Sequence, residues 1–280
     1  MEEHERARQQ LEHWNGAGGQ RWVKEQERID RVLAPLGALG ITRAAPQPGE
    51  RVIDVGCGCG ASTLALGERV GPRGAVLGVD ISAPMLARAR TRAQALGWVT
   101  FVEGDAGTHP FHGDAGLLFS RFGSMFFADA EAAFANLRRA LRPGGRLCLL
   151  TWRRFDENEW GRIPLEAALR VVGPQPPPPP DGPGPYSLAS EQRVRALLTA
   201  AGFDSIALEG VDTELELSTT GLDEAVAFSL EAGPAARVVL GADADTIARA
   251  RDAVRRALEP RAAGPRVALG AAAWIVSARA

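Results

Sequence analysis

Residues 51–60 read Arg51-Val52-Ile53-Asp54-Val55-Gly56-Cys57-Gly58-Cys59-Gly60. Val52, Ile53 and Val55 are β-branched, which suits a buried strand. The glycines that follow at alternate positions open a turn in which the backbone can approach a ligand closely. A helical pattern then runs to about Val70, so its free N–H groups would point back at the glycines. Strand, glycine turn and helix together make the first half of a βαβ unit.

The same rhythm continues outward. A second strand over 75–79 ends on Asp80, Ser82 is a good N-cap, and Leu86, Ala89, Ala93 and Leu96 recur on one helical face. A third strand, 98–103, ends at Gly104-Asp105-Ala106, and a fourth, 115–119, ends at Ser120-Arg121-Phe122. Asp129 caps the next helix, with Phe134, Leu137 and Leu141 as its apolar stripe, and Arg142-Pro143-Gly144-Gly145 stops it. A fifth strand fills 146–152. This alternation predicts an α/β fold, a doubly wound and mostly parallel sheet with helices on both faces.

After Trp152 the rhythm breaks at 174–185, nearly all proline and glycine, which is stiff, extended and unable to join a sheet or helix. Ser190 begins a helix ended by Gly202, a strand follows over 203–217, two helical patterns cover 222–230 and 245–258, and a closing strand takes 267–278. With 280 residues, the length prior suggests nearly two domains. The pattern is read instead as a single domain over 1–280, with a core at 48–152. A Pro-rich insertion occupies 153–187, 188–217 and 266–280 complete the sheet, and a helical insertion at 218–265 covers its ligand edge.

Composition narrows the function. Basic and acidic side chains number 32 and 34, for a net charge of −2. That leaves no basic footprint for nucleic acid, and a small-molecule partner is expected. The opening MEEHERARQQ lacks an apolar signal core and no apolar run reaches the ~18 residues of a membrane span, so a cytoplasmic location is expected. Lys24 is the only lysine, which removes a Gly-Lys-Ser/Thr phosphate loop and disfavours Schiff-base chemistry. Cys57, Cys59 and Cys148 fit reduced thiols, and His4, His13, His109 and His112 form no metal-binding motif, so no metal is expected.

Gly56-x-Gly58-x-x-Ala61 followed by Asp80 also satisfies the spacing of a dinucleotide site, which keeps a nicotinamide-dependent oxidoreductase open. Three carboxylates favour another ligand. Asp54 lies beside the glycine turn, where a pyrophosphate would be repelled and a cationic amino-acid group attracted. Asp80 ends the second strand, placed to accept from both ribose hydroxyls, and Asp105 ends the third, placed to accept from an adenine amino group. An adenosine carrying a cationic amino acid fits all three.

The run Val52-Ile53-Asp54-Val55-Gly56-Cys57-Gly58-Cys59-Gly60, with Gly78-Val79-Asp80-Ile81-Ser82, Met85-Leu86, Gly104-Asp105-Ala106 and Leu141-Arg142-Pro143-Gly144-Gly145, resembles the class I S-adenosylmethionine-dependent methyltransferases. It is most similar to the small-molecule branch that includes the ubiquinone/menaquinone C-methyltransferases. The resemblance covers about residues 48–152. It implies a Rossmann-like sheet of seven strands with an antiparallel last strand, and S-adenosylmethionine as cofactor. It places Asp54, Gly56, Cys57, Gly58, Asp80, Met85, Gly104, Asp105 and the loop at Ser120 on that cofactor, with Ile81 and Ala106 flanking the adenine. His13-Trp14-Asn15-Gly16 and Arg21-Trp22-Val23 look like that branch's leading helices, so 1–47 would form a helical lid with Trp14 and Trp22 over the cofactor. The bland alternative is that both tryptophans pack on the sheet. Ser120-Arg121-Phe122 departs from the Asn-Pro-Pro-Tyr motif, which disfavours adenine bases and glutamine side chains as acceptors.

Methyl transfer from a sulfonium is an in-line displacement, so the protein's work is positioning and desolvation, with a general base only where the acceptor loses a proton. His109 is the candidate base, with His112 a weaker one, and the alternative for both is an ordinary loop histidine. Arg121 could bind an anionic acceptor or pair with a nearby carboxylate. Cys57 and Cys59 read as small residues packed under the cofactor. Trp152, Phe155 and Trp160 could form an apolar acceptor wall, and Tyr186 could line the acceptor pocket or simply pack. The expectation is a methyltransferase acting at O, N or C of a small apolar or aromatic metabolite. The oxidoreductase and a non-catalytic binding module are the rivals.

Overall fold

The structure, a computed structural model, describes residues 2–175 and 182–280. Five strands, β1 (Arg51–Val55), β2 (Ala75–Asp80), β3 (Val99–Glu103), β4 (Ala115–Arg121) and β5 (Leu141–Trp152), form the parallel part of the sheet. The long strands β6 (Asp204–Ser218) and β8 (Arg266–Arg279) close it, with β8 antiparallel to both β5 and β6. The order is β3-β2-β1-β4-β5-β8-β6, and a two-residue strand, β7 (Ala262–Ala263), pairs with β8 at the side. The expected seven-stranded sheet with an antiparallel last strand is therefore present, with β7 as a small addition. Central strands are buried on both faces, as β4 shows with Leu117, Leu118 and Phe119 all fully covered, which is why they read as continuous apolar runs. The outer strand β6 carries Glu209, Asp212, Glu214 and Glu216, charges that guard an open edge.

The helices are α1 (Glu2–Asn15), α2 (Ala17–Lys24), α3 (Gln26–Ala44), α4 (Ala61–Val70), α5 (Ala83–Arg92), α6 (Ala130–Ala140), α7 (Glu159–Val172), α8 (Glu191–Ala200), α9 (Leu222–Glu231) and α10 (Ala244–Leu258). Helices α3, α4 and α5 cover one face, and α6 with α8 the other. The caps expected at Ser82, Asp129 and Ser190 accept from Met85 N, Ala132 N and Arg193 N respectively.

Three differences from the sequence reading have local causes. First, residues 1–47 divide. Only α1 and α2 lie over the ligand edge, whereas α3 belongs to the core, burying Ile29, Val32, Leu36 and Ile41. Gly40 lets it sit on β5, since a Cβ there would fall 2.2 Å from the Leu150 side chain. Second, β5 begins at Leu141: it pairs with Ala115 and the register then shifts so that Arg146 meets Leu117. Arg142-Pro143-Gly144-Gly145 is thus a bulge within the strand, with Gly144 at φ +74°, because the chain re-enters pairing at once after α6. Third, α7 was masked by Pro164 inside it. Its buried side packs on α10, so the two insertions form one helical cap. Of the proline-rich stretch, residues 176–181 lie outside the described residues; its returning end docks on the loop after β4, where Ser187 Oγ donates to Met125 O at 2.6 Å.

Candidate active site

The glycine turn is built by two loops in backbone contact. Gly56 has φ +64°, and a Cβ on it would lie 2.6 Å from Gly123 Cα. Gly123 belongs to the loop after β4, which Ser120 ties to the end of β1: its hydroxyl donates to Val55 O at 2.8 Å and accepts from Ser124 N at 3.1 Å. Ser120 is fully buried and acts on the loops rather than facing the cavity beneath them.

Asp54 does not line that cavity either. Its carboxylate is 0% exposed, and Oδ2 accepts from Ser62 Oγ at 2.7 Å and Thr63 Oγ1 at 2.6 Å, pinning the first turn of α4 to β1. Oδ1 is buried with no hydrogen-bond partner. Burial pushes its pKa up to about 6, against the lowering by the two hydroxyls and by Arg121. The expected carboxylate beside the glycine turn is there, but as a brace behind the loop.

In front of the loop lies a cavity of about 520 Å³. Gly56, Cys57, Gly58, Asp80, Ile81, Met85, Gly104, Asp105 and Ala106 all line it, as do Trp14 and Trp22. Asp80 is 8% exposed; its Oδ2 accepts from Gly58 N at 2.7 Å and Oδ1 from Ser82 N at 2.9 Å, and burial raises its pKa. Asp105 Oδ1 accepts from Gly107 N at 2.8 Å. Gly58, at φ +54°, sits between Met85 and Trp22, whose Sδ and Nε1 would be 3.8 and 3.9 Å from a Cβ there.

Helices α1 and α2 close over this end through a clasp. Asn15 Nδ2 donates to Ile81 O at 2.8 Å, Asn15 Oδ1 accepts from Ala83 N at 2.9 Å, and Ser82 Oγ donates to Trp14 O at 2.6 Å. The Trp14 ring stands edge-on to Trp22 and to Phe126, at 6.1 and 5.1 Å. Both tryptophans line the cavity, and Trp22 also packs against the hydrophobic core.

The far end is aromatic. Phe122 and Trp152 stack at 4.0 Å with planes 10° apart, Trp160 follows at 4.9 Å from Trp152, and Phe228 and Pro234 of the cap complete the wall. Trp152 and Trp160 line the cavity; Phe155 and Tyr186 pack on each other at 5.4 Å outside the lining. The Tyr186 hydroxyl is buried without a partner, and burial raises its pKa.

Two candidate reacting groups need correction. His109 stands outside the cavity lining, its ring against Phe111 at 4.7 Å, because its backbone N–H bonds Asp105 O and turns the loop away. His112 is exposed. Arg121 does line the cavity, but its guanidinium pairs with Asp30 at 3.5 Å, and Asp30 also holds Arg92 at 3.0 Å and Gln26 Nε2 at 2.6 Å. The sequence reading missed Asp30 and, more consequentially, Arg21 and Arg237, which line the same cavity from α2 and from the 3-10 turn Pro234–Arg237. Their positions depend on how the lid and cap fold over the sheet, and no local pattern marks them.

Burial raises the thiol of Cys57 far above its usual value and that of Cys59 to about 12, so both are neutral packing groups. No cluster of metal-ligating side chains occurs among the described residues, and no described helix is long and apolar enough to cross a membrane.

Residues 52–145 match the profile of a methyltransferase domain. Nocamycin O-methyltransferase of Saccharothrix syringae is 30% identical over 199 residues, covering 67% of this chain and 70% of its own length. The chain belongs to the S-adenosylmethionine-dependent small-molecule methyltransferases. Demethylmenaquinone methyltransferase of Thermus thermophilus is 44% identical over 129 residues, 44% of this chain and 58% of its own length. The fold is shared with Haemonchus contortus phosphoethanolamine N-methyltransferase 2, solved with S-adenosyl-L-methionine, at TM-score 0.52 and 20% identity, over 88% of this chain and 52% of that one. Matches to curated relatives span from 32% to 70% of their lengths. S-Adenosylmethionine is the cofactor of this family. The cavity has room for it: even a Cβ at Gly58 would come no nearer than 3.8 Å to Met85 and 3.9 Å to Trp22, and the Asp80 and Asp105 carboxylates line the same cavity.

Proposed function

We propose that this chain transfers a methyl group from S-adenosylmethionine to O, N or C of a small apolar or aromatic acceptor held at the Phe122–Trp152–Trp160 end of the cavity. The observation that carries the reading is the polarity of that cavity. Strand-end carboxylates and a glycine turn line one end and stacked aromatic rings the other. Bound S-adenosylmethionine supplies an activated, electrophilic methyl group. Asp80 accepts from the ribose hydroxyls, Asp105 from the adenine amino group, and Ile81 and Ala106 flank the base. Gly56 and Gly58 give the backbone access, and Cys57 and Met85 pack beneath. Trp14 and Trp22 exclude water from above. Asp54 and Ser120 position the two loops from behind.

The aromatic slot orients the acceptor for in-line attack, which is where most of the barrier lowering comes from. Among the described residues His13 is the one histidine that lines the cavity, so the reading uses no His109 base. It fits acceptors that are already nucleophilic or that lose their proton to solvent. Titration calorimetry with S-adenosylmethionine and with NAD(P) tests the cofactor. Micromolar binding of the former and none of the latter is expected, and tight NAD(P) binding alone would end the reading.

A further inference from the structure

Arg21 and Arg237 stand apart from the other arginines around the cavity. Arg28 is paired with Glu25 at 2.7 Å and Glu231 at 2.9 Å, while Arg92 and Arg121 share Asp30. Arg21 and Arg237 make no ion pair or side-chain hydrogen bond among the described residues, yet both line the cavity. They come from different elements, Arg21 on the lid helix α2 and Arg237 on the turn between α9 and α10. Guanidiniums suit carboxylate and phosphate because their N–H fork can bind two oxygens at once.

We propose that Arg21 and Arg237 form an oxyanion clamp for the acceptor, so that the molecule methylated is an apolar or aromatic compound bearing a carboxylate or phosphate group. This rests on the methyltransferase reading and adds the charge of its substrate. Three observations support it. Arg21 is half-buried, and its pKa is pulled down by burial and then by the charge of Arg237: the two cations repel each other, and an anion between them removes that cost. His13, lining the same cavity, is pushed down by burial and then by Arg21 and Arg237, so it stays neutral and can donate or accept beside the clamp. Asp30, the carboxylate of α3 on this cavity, is already held by Arg92, Arg121 and Gln26. An oxyanion held by both arginines would link lid to cap, closing the aromatic slot over the acceptor body.

The test uses the full chain loaded with S-adenosylhomocysteine and three probes of similar shape: 2-naphthoate, 2-naphthyl phosphate and neutral 2-naphthamide. At least one anionic probe is expected to bind about tenfold or more tighter than the amide, as for hydrogen bonds to charged groups, and whichever is tighter names the oxyanion. Arg237→Ala and Arg21→Ala should each remove most of that preference while leaving S-adenosylhomocysteine affinity within about threefold, well below the tenfold step of one charged bond. Arg237→Lys should restore part of it, because it keeps the charge and loses the fork. The exposed Arg249→Ala is the control. Equal affinity for the three probes, no binding of any at millimolar concentration, or a loss in Arg249→Ala as large as in Arg237→Ala overturns the clamp. Failure to bind S-adenosylhomocysteine would overturn the methyltransferase reading instead, and the probe comparison without it still decides the clamp.

Discussion

The two ends of the cavity are made in opposite ways. At the cofactor end, each residue lies at the end of a strand or within three residues of it: Asp80 closes β2, Asp105 follows β3, and Gly56 and Gly58 follow β1. At the acceptor end, Trp152 and Phe122 come from the ends of strands, but Trp160, Phe228 and the two arginines without a partner among the described residues arrive from helices and turns of the lid and cap. The first end is carboxylate-rich and braced by buried hydrogen bonds; the second is aromatic and cationic. A sheet edge fixes geometry for a cofactor shared by many reactions, whereas insertions can change without disturbing it.

The contrast can be broken at its stiffest point first. Gly56→Ala puts a methyl group into the Gly123 backbone at a positive φ, which should cost about 3–5 kcal/mol as strain and overpacking combine. Thermal melting should register the drop, together with loss of S-adenosylhomocysteine binding; an unchanged melt would mean the loops are not in contact. Asp80→Ala follows. Removing a carboxylate that takes two hydroxyls should weaken S-adenosylmethionine by about 30–100-fold in calorimetry, and unchanged affinity would refute the ribose assignment.

Next comes pH. Burial raises the Asp54 pKa to about 6 and raises that of Asp80, above the roughly 4 of an unfolded aspartate. The stability Asp54 confers is thus present below about pH 4 and is lost as pH rises through about 6, and Asp80 acts in the same direction. For Asp54 the loss is on the order of 1–3 kcal/mol. The melting temperature without ligand should fall between pH 5 and 7.5 on this account, and Asp54→Asn should flatten the fall; an identical slope in the variant would remove Asp54 as its source. The smallest effect is expected at His109→Ala. With the ring outside the cavity, methyl-transfer rate should change by less than about threefold, against the 10²–10⁴ of a true general base. A hundredfold loss would restore it as a base.

Legibility in the sequence divides along the same line. The five parallel strands, the helix starts at Ser82, Asp129 and Ser190 and the glycine turn after β1 could be read because each rests on residues near in the chain: a cap is set by a side chain and an N–H three positions on, as at Ser82 and Asp129. Asp54 was legible as a nearby carboxylate but not as a brace, since its partners Ser62 and Thr63 come from the next helix. Helix α7 hid behind Pro164, although Trp160, Ile163, Ala167 and Val171 keep helical spacing around it. Arg21 and Arg237 were invisible because a side chain without a partner has no sequence signature; only the folded cavity shows that nothing among the described residues answers them.

The crossing of Gly56 and Gly123 sets a limit on redesign of this scaffold. Each glycine's missing Cβ would strike the other's backbone, at 2.6 Å in both directions. Since neither neighbour can shrink further, no second-site change at the pair can compensate a side chain at either. A combinatorial library randomised at both positions should return glycine twice, while the aromatic and arginine positions of the lid and cap remain free to diversify toward new acceptors.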